Sequence, residues 1–201
     1  TDVGAGIPGS RMGPDALRVA GLATALARFG VSVHDYGNIS GPPNPGHTAV
    51  DGFRHLPEVT AWNRALYAAF LAELKARRLP ILLGGDHSLS IGSISAVSRY
   101  CREQSRKLRV LWFDAHADFN TAALTPSGNI HGMPVAILCG HGPQDLVGIS
   151  GKSPTLRAGE IVQVGIRSVD DGEKYCVHDA GIDVFDMRYI DEMGMRTAMT
   201  Q

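Results

Sequence analysis

The stretch VLWFDAHADFN, residues 110–120, decides how this chain is read. Val110–Phe113 is a short apolar run, of strand length and composition, and consistent with burial on both faces. Asp114, His116 and Asp118 follow at alternate positions. In extended chain, residues i and i+2 point the same way and lie about 6.6 Å apart, so Asp114 and His116 can reach one ion or two neighbouring ions. Asp114 and Asp118 would lie about 13 Å apart if the strand continued, too far for one coordination sphere. The chain must therefore curl after Asp114. Mixed carboxylate and imidazole ligands suit Mn²⁺, Zn²⁺, Fe²⁺ or Co²⁺ better than Ca²⁺ or Mg²⁺, which prefer oxygen shells. The lack of thiolates argues against a structural zinc site. An Asp or His after a strand often does no more than cap a helix or steady a loop. D-x-H-x-D directly behind a buried strand is harder to explain that way.

Working outward, Ile81–Leu83 is a second short apolar run, ended by the turn GGD. Ile91, Ile94, Val97 and Cys101 give the helical face between the two runs, so a βαβ unit with parallel, doubly covered strands is predicted. The rhythm returns as a strand over 161–166, a helix over about 172–179, a strand over 182–185 and a helix over about 190–199. Nearer the start, Pro14 and Asp15 open a helix with the stripe Val19, Leu22, Leu26 and Phe29, ended by Gly30. VSVHD, residues 31–35, alternates as a strand would. Residues 37–57 form an irregular loop rich in Pro and Gly. Val59, Trp62, Leu66, Ala69 and Leu74 mark a long helix, with Lys75, Arg77 and Arg78 at its negative end. Alternating β and α units over this length predict an α/β domain: three αβα layers around a doubly wound, mainly parallel sheet. No internal boundary is visible, so residues 1–201 read as one domain.

Of the 201 residues, 44% are hydrophobic and 19% charged, which provides for a packed core rather than disorder. A net charge of −1 without basic blocks weakens any case for nucleic acid. No apolar run is long enough to span a bilayer, and no secretory signal is visible. Cys101, Cys139 and Cys176, three in all, are widely spaced and read as reduced thiols of a cytoplasmic protein. The early GAG does not meet GxGxxG and follows no strand, so a dinucleotide site is disfavoured.

Open α/β sheets carry their sites at the carboxyl ends of strands. That rule selects GGDHS (84–88), DAHAD (114–118) and RSVDDGE (167–173). The first contributes His87, and His131 lies in the loop behind DAHAD. Either histidine alone is unremarkable in a loop; three histidines gathered at adjacent strand ends are not.

GGDHSLSIGSIS (84–95), DAHADFNT (114–121) and SGNIHGMPVA (127–136) resemble the signature blocks of the ureohydrolase superfamily, specifically the arginase family. GSRMGPDALR (9–18) and GIRSVDDGE (165–173) fit the same resemblance. It implies a hydrolase with two Mn²⁺ per complete site. His87 would bind one ion, His116 the other, Asp114 both, and Asp118 would complete the first shell. By this resemblance the metals would lower the pKa of bound water toward neutrality, and the reaction would be hydrolysis of the guanidinium group of L-arginine to L-ornithine and urea by a metal-bridged hydroxide. By the same resemblance His131 is the proton shuttle to the leaving amine, with Asp118 also counted in the catalytic set. Asn120, Ser127 and Asn129 would meet the substrate α-carboxylate. Asp170, with Glu173 behind it, would take the α-amino group, and His116 also faces substrate. Ser127 and Asn129 are equally common as turn residues. The S-G-N-x-H block favours arginine over agmatine. The alternatives are another ureohydrolase (an agmatinase or guanidino-acid hydrolase), a one-zinc deacetylase of related fold, and an inactive truncated homologue. Family resemblance also implies a homotrimer or homohexamer.

The family's third strand-end motif, S-x-D-x-D-x-x-D-P, is not met within these residues; Asp183 and Asp186 in GIDVFDM have the wrong spacing. The resemblance thus covers about the N-terminal two-thirds of the family's length and is clipped at both ends. A polypeptide of these 201 residues alone is expected to be poorly soluble and inactive.

Overall fold

Val110–Phe113 forms β1, the strand predicted before DAHAD. The computed structural model describes residues 1–201. β1 pairs in parallel with β2 (Ile161–Val164), and β2 with β3 (Asp183–Phe185), in the order β1-β2-β3. The registers Val110↔Ile161 and Val162↔Asp183 bring the three carboxyl ends to one side of the sheet.

In chain order the helices are α1 (Gly13–Val19), α2 (Leu22–Ala27), α3 (Leu56–Lys75), α4 (Ser90–Glu103), α5 (Pro134–Leu138), α6 (Gln144–Val147), α7 (Asp171–Ala180), α8 (Met187–Met193) and α9 (Met195–Ala198). One apolar cluster joins Trp112 of β1 and Ile161 of β2 to Val135 and Leu138 of α5 and Val177 of α7. A second sets Val59 of α3 and Ile91 of α4 against Ile137 of α5 and Leu146 of α6. Between α3 and α4, the fully buried Asn63 accepts from the Gly92 N–H at 2.6 Å and donates to the Val59 carbonyl at 2.9 Å. A Cβ at Gly92 would collide with the Asn63 carbonyl oxygen, so this close crossing requires glycine.

Several expectations are corrected. The helix predicted from Pro14 to Phe29 is two helices, because Gly21 takes a left-handed φ of +83° between them. Its stripe is not a core face, since Val19 is 90% and Phe29 84% exposed. VSVHD (31–35) and Ile81–Leu83 are not strands: neither finds a ladder partner, and a strand exists only as a member of a ladder. β1 is covered on one face alone: Trp112 is buried, whereas Leu111 and Phe113 are 51% and 57% exposed. The helix predicted over 190–199 begins earlier and is split at Gly194 into α8 and α9.

Candidate metal centre

β1 ends at Phe113, and the next residue, Asp114, still donates its N–H to the Val164 carbonyl at 3.1 Å, continuing the ladder by one bond. Its Oδ1 then accepts the His116 N–H at 2.9 Å, a local turn that stops the strand. The curl follows at Asp118, which has a left-handed φ of +50°. Long-range bonds hold the curl in place. The buried Gln163 of β2 donates to the Ala117 carbonyl at 2.6 Å. The Val135 N–H of α5 donates to the Asp118 carbonyl at 2.9 Å, and Gly132 accepts from the Asn120 N–H at 3.0 Å.

His87 opens a 3-10 turn, His87–Leu89, behind Asp86. Asp86 is buried and spends both oxygens on backbone: Oδ1 accepts from Ser88 N–H and Oδ2 from Gly4 N–H, each at 3.0 Å. The His87 ring lies parallel to the Trp112 indole, with centroids 4.4 Å apart and planes 23° apart. His87 Nδ1 is 2.9 Å from Asp114 Oδ2 and 2.8 Å from Asp118 Oδ2. The approach to Asp118 is close but lacks hydrogen-bond alignment, so Oδ2 of Asp118 is buried with no donor.

The ligand atoms of His87, Asp114 and Asp118 all lie within 4.8 Å of one another. One imidazole nitrogen and two carboxylates, one of them with an orphaned buried oxygen, are a donor set that fits a divalent metal ion. His116 stands outside this triad. It is exposed, with Nδ1 3.4 Å from Asp114 Oδ1. The Asp114 carboxylate is therefore interposed between the two histidines, one oxygen toward each.

Burial of the His87 ring lowers its pKa, but the Asp118 and Asp114 carboxylates outweigh burial and leave it above the ordinary histidine range. Burial raises the Glu173 carboxyl, against the pull of two backbone N–H donors. Those donors are Phe119, at 2.7 Å to Oε1, and Asp170, at 3.3 Å to Oε2. Glu173, 3% exposed, thus ties the start of α7 to the residue after Asp118.

All ten predicted site residues line one cavity of about 400 Å³, whose only apolar side chain is that of Pro126. Around the metal cluster, Asn120 donates to Asp170 Oδ2 at 3.1 Å, and His131 is held by its backbone N–H to the Gly4 carbonyl at 3.1 Å. The His131 ring bonds to no protein group. The Ser127 hydroxyl accepts the Asn129 N–H at 3.2 Å, so it does serve the turn while its own proton stays free to donate. Thr125, Pro126, Gly132 and Ser168 line the same cavity and went unpredicted. Ser168 lay within reach of the strand-end rule, which selected its loop. Thr125 carries no comparable mark, and its hydroxyl accepts the Gly128 N–H at 3.0 Å to shape the turn.

The Arginase family profile matches residues 1–201. The arginase of Bacillus caldovelox is 39% identical over 202 residues, covering 100% of this chain and 66% of the relative. That of Brevibacillus brevis is 38% identical over 200 residues, covering 100% of this chain and 66% of the relative. The chain thus spans just under two-thirds of the length of these curated relatives. Among solved structures, B. caldovelox arginase superimposes with a TM-score of 0.89 at 39% identity, over 96% of this chain and 64% of that one. Entamoeba histolytica arginase in complex with L-ornithine gives 0.88 at 34% identity, over 100% and 67%. The sheet and the helices on it are those of the α/β arginase fold, and this chain belongs to the arginase family.

Proposed function

We propose that this chain carries the arginine-hydrolysing centre of a manganese-dependent arginase, turning L-arginine and water into L-ornithine and urea. The observation that carries the reading is the convergence of His87 Nδ1, Asp114 and Asp118 in a cavity lined mainly by polar side chains, His131 among them. The complex of the E. histolytica relative with L-ornithine supports the choice of product.

His87, Asp114 and Asp118 would hold one Mn²⁺. His116 and the second oxygen of Asp114 would serve another. Bound metal supplies a Lewis acid and lowers the pKa of water toward neutrality. The chain's own residues do the rest. Ser127, Asn129 and the second N–H of Asn120 are neutral donors for the α-carboxylate. Asp170, held by Asn120 and backed by Glu173, meets the α-ammonium. His131, free of protein bonds at its ring, gives a proton to the departing amine nitrogen. A site whose polar groups are matched to both substituents of the α-carbon rejects agmatine, which leaves the carboxylate donors unpaired. A homotrimer or homohexamer in the cytoplasm completes the proposal.

The test has two arms. Mn²⁺ and L-ornithine are titrated into the chain by calorimetry. Urea release is then measured on arginine, agmatine and 4-guanidinobutyrate for the protein that carries these residues. Equal rates on arginine and agmatine would refute the carboxylate assignment. Tight Mn²⁺ binding without urea release would favour the inactive homologue.

A further inference from the structure

Trp112 occupies the middle of β1, two residues before Asp114 and on the same face of the strand. It is 4% exposed, yet its indole Nε1–H is buried without an acceptor. Packing alone does not explain this, because Phe or Leu would fill the place without leaving a stranded donor. What the indole does provide is a flat face on which the His87 ring lies, with centroids 4.4 Å apart and planes 23° apart.

That face matters because of how His87 arrives. Ile81–Leu83, the segment leading into it, shares no hydrogen-bond ladder with β1. Asp86 fastens the backbone beside His87 to Gly4, not to the sheet. The side-chain contacts with Trp112, Asp114 and Asp118 therefore set the imidazole relative to the sheet. The carboxylates attract Nδ1 but do not fix the tilt of the ring; a stacked indole does.

We infer that Trp112 is a positioning residue for the metal centre: its indole holds the His87 imidazole in the plane that aims Nδ1 between Asp114 and Asp118. The inference rests on the reading of His87 as a metal ligand. A coordinated imidazole is electron-poor and is favoured over the electron-rich indole face, so the stack and the coordination reinforce each other.

The test is titration of the full chain with Mn²⁺ alone, following free Mn²⁺ by electron paramagnetic resonance. The variants are Trp112→Leu, Trp112→Phe, Trp62→Leu and His87→Ala, each checked for fold by circular dichroism. Trp112→Leu is expected to weaken Mn²⁺ about tenfold, the lower end of what loss of a residue supporting a ligand costs. Trp112→Phe keeps a ring and should recover most of that loss. Trp62, half-buried with its Nε1 on the Pro42 carbonyl, does not line the cavity and does not stack on His87, and Trp62→Leu should leave the affinity unchanged. Affinity in Trp112→Leu within twofold of wild type overturns the inference, as does equal loss in Trp112→Leu and Trp112→Phe, or in Trp112→Leu and Trp62→Leu. If His87→Ala itself leaves the affinity intact, the metal-ligand reading falls, and the inference with it.

Discussion

Asp118 brings a carboxylate oxygen to 2.8 Å from His87 Nδ1 because its own backbone turns through a φ of +50°. Continued as a strand, the chain would have carried that oxygen far past the ion that Asp114 can reach. The left-handed turn folds it back beside Asp114, whose own oxygen is 2.9 Å from the same nitrogen.

Asp118→Asn isolates the charge from the turn, because Asn tolerates the left-handed region as Asp does. Mn²⁺ affinity should fall by at least tenfold, on the order of what removing one charged ligand does to a site of this kind. The metal-free protein should lose thermal stability only at pH values where the His87 ring is protonated, because the carboxylate there forms an ion pair with it. Calorimetry and a melting curve check both; a collapse of the melting temperature where the ring is neutral would show that the carboxylate serves the fold.

Metal affinity should rise with pH. Although burial opposes it, the pair of carboxylates holds the metal-free His87 ring protonated above the ordinary pKa of about 6.5. The proton and the metal compete for Nδ1, so binding weakens as pH falls through the raised value. The metal-free protein behaves in the opposite sense. Its His87 ion pairs stabilise it fully below the unfolded-state pKa, and that stability is lost as pH rises through the folded one. Mn²⁺ titrations at pH 6, 7 and 8, in buffers of differing ionisation enthalpy, should show proton release on binding. A pH-independent affinity would contradict this.

Burial pushes the Cys139 thiol up to about 11, with Glu160 adding to the shift. At pH 8 it is almost wholly protonated, and only the thiolate is nucleophilic. Iodoacetamide should therefore label Cys139 much more slowly than a free cysteine, and the rate should climb with pH until well above 9. Peptide mass mapping at pH 8 and pH 9.5 resolves it; rapid labelling at pH 8 would be inconsistent with the burial.

Asn63→Leu should destabilise the chain by about 1–3 kcal/mol, the cost of leaving the Gly92 N–H buried without an acceptor. Gly92→Ala should cost about as much by a different route, forcing α3 away from α4. Urea unfolding of both variants gives the comparison. A neutral Gly92→Ala would mean that the two helices have room to separate.

Leu111 and Phe113 present apolar side chains on the open face of β1. The 201-residue polypeptide alone should self-associate through that face. Replacing both with Thr should raise the concentration at which it stays monomeric in sedimentation experiments. Soluble monomer without the substitutions would remove the basis for this.

What the sequence made legible was local or set by reach. The length of VLWF, the apolar faces of α3 and α4, and the need for a curl before Asp118 all follow from spacing within a few residues. The failures have two causes. VSVHD and Ile81–Leu83 have strand-like composition, but a strand is a relation between two segments, and composition does not report whether a partner is present. Gly21 interrupts the first helix through a positive φ that the apolar stripe around it does not reveal. At the site, the residues with chemistry to declare were readable, because Asp and His at strand ends are conspicuous. Gln163, whose amide ties down the Ala117 carbonyl, was not, since nothing in IVQV says where that amide will point.

The bonds that hold the DAHAD curl have a consequence for how the protein is made. Ala117, Asp118, Phe119 and Asn120 are fastened by Gln163, Val135, Glu173 and Gly132, all of which are synthesised later. A nascent chain that has emerged only as far as Asn120 carries every member of the metal triad and none of those fastenings. Its curl stays slack until translation has delivered α7. Competence to hold a metal ion there would thus arrive well after the ligands themselves.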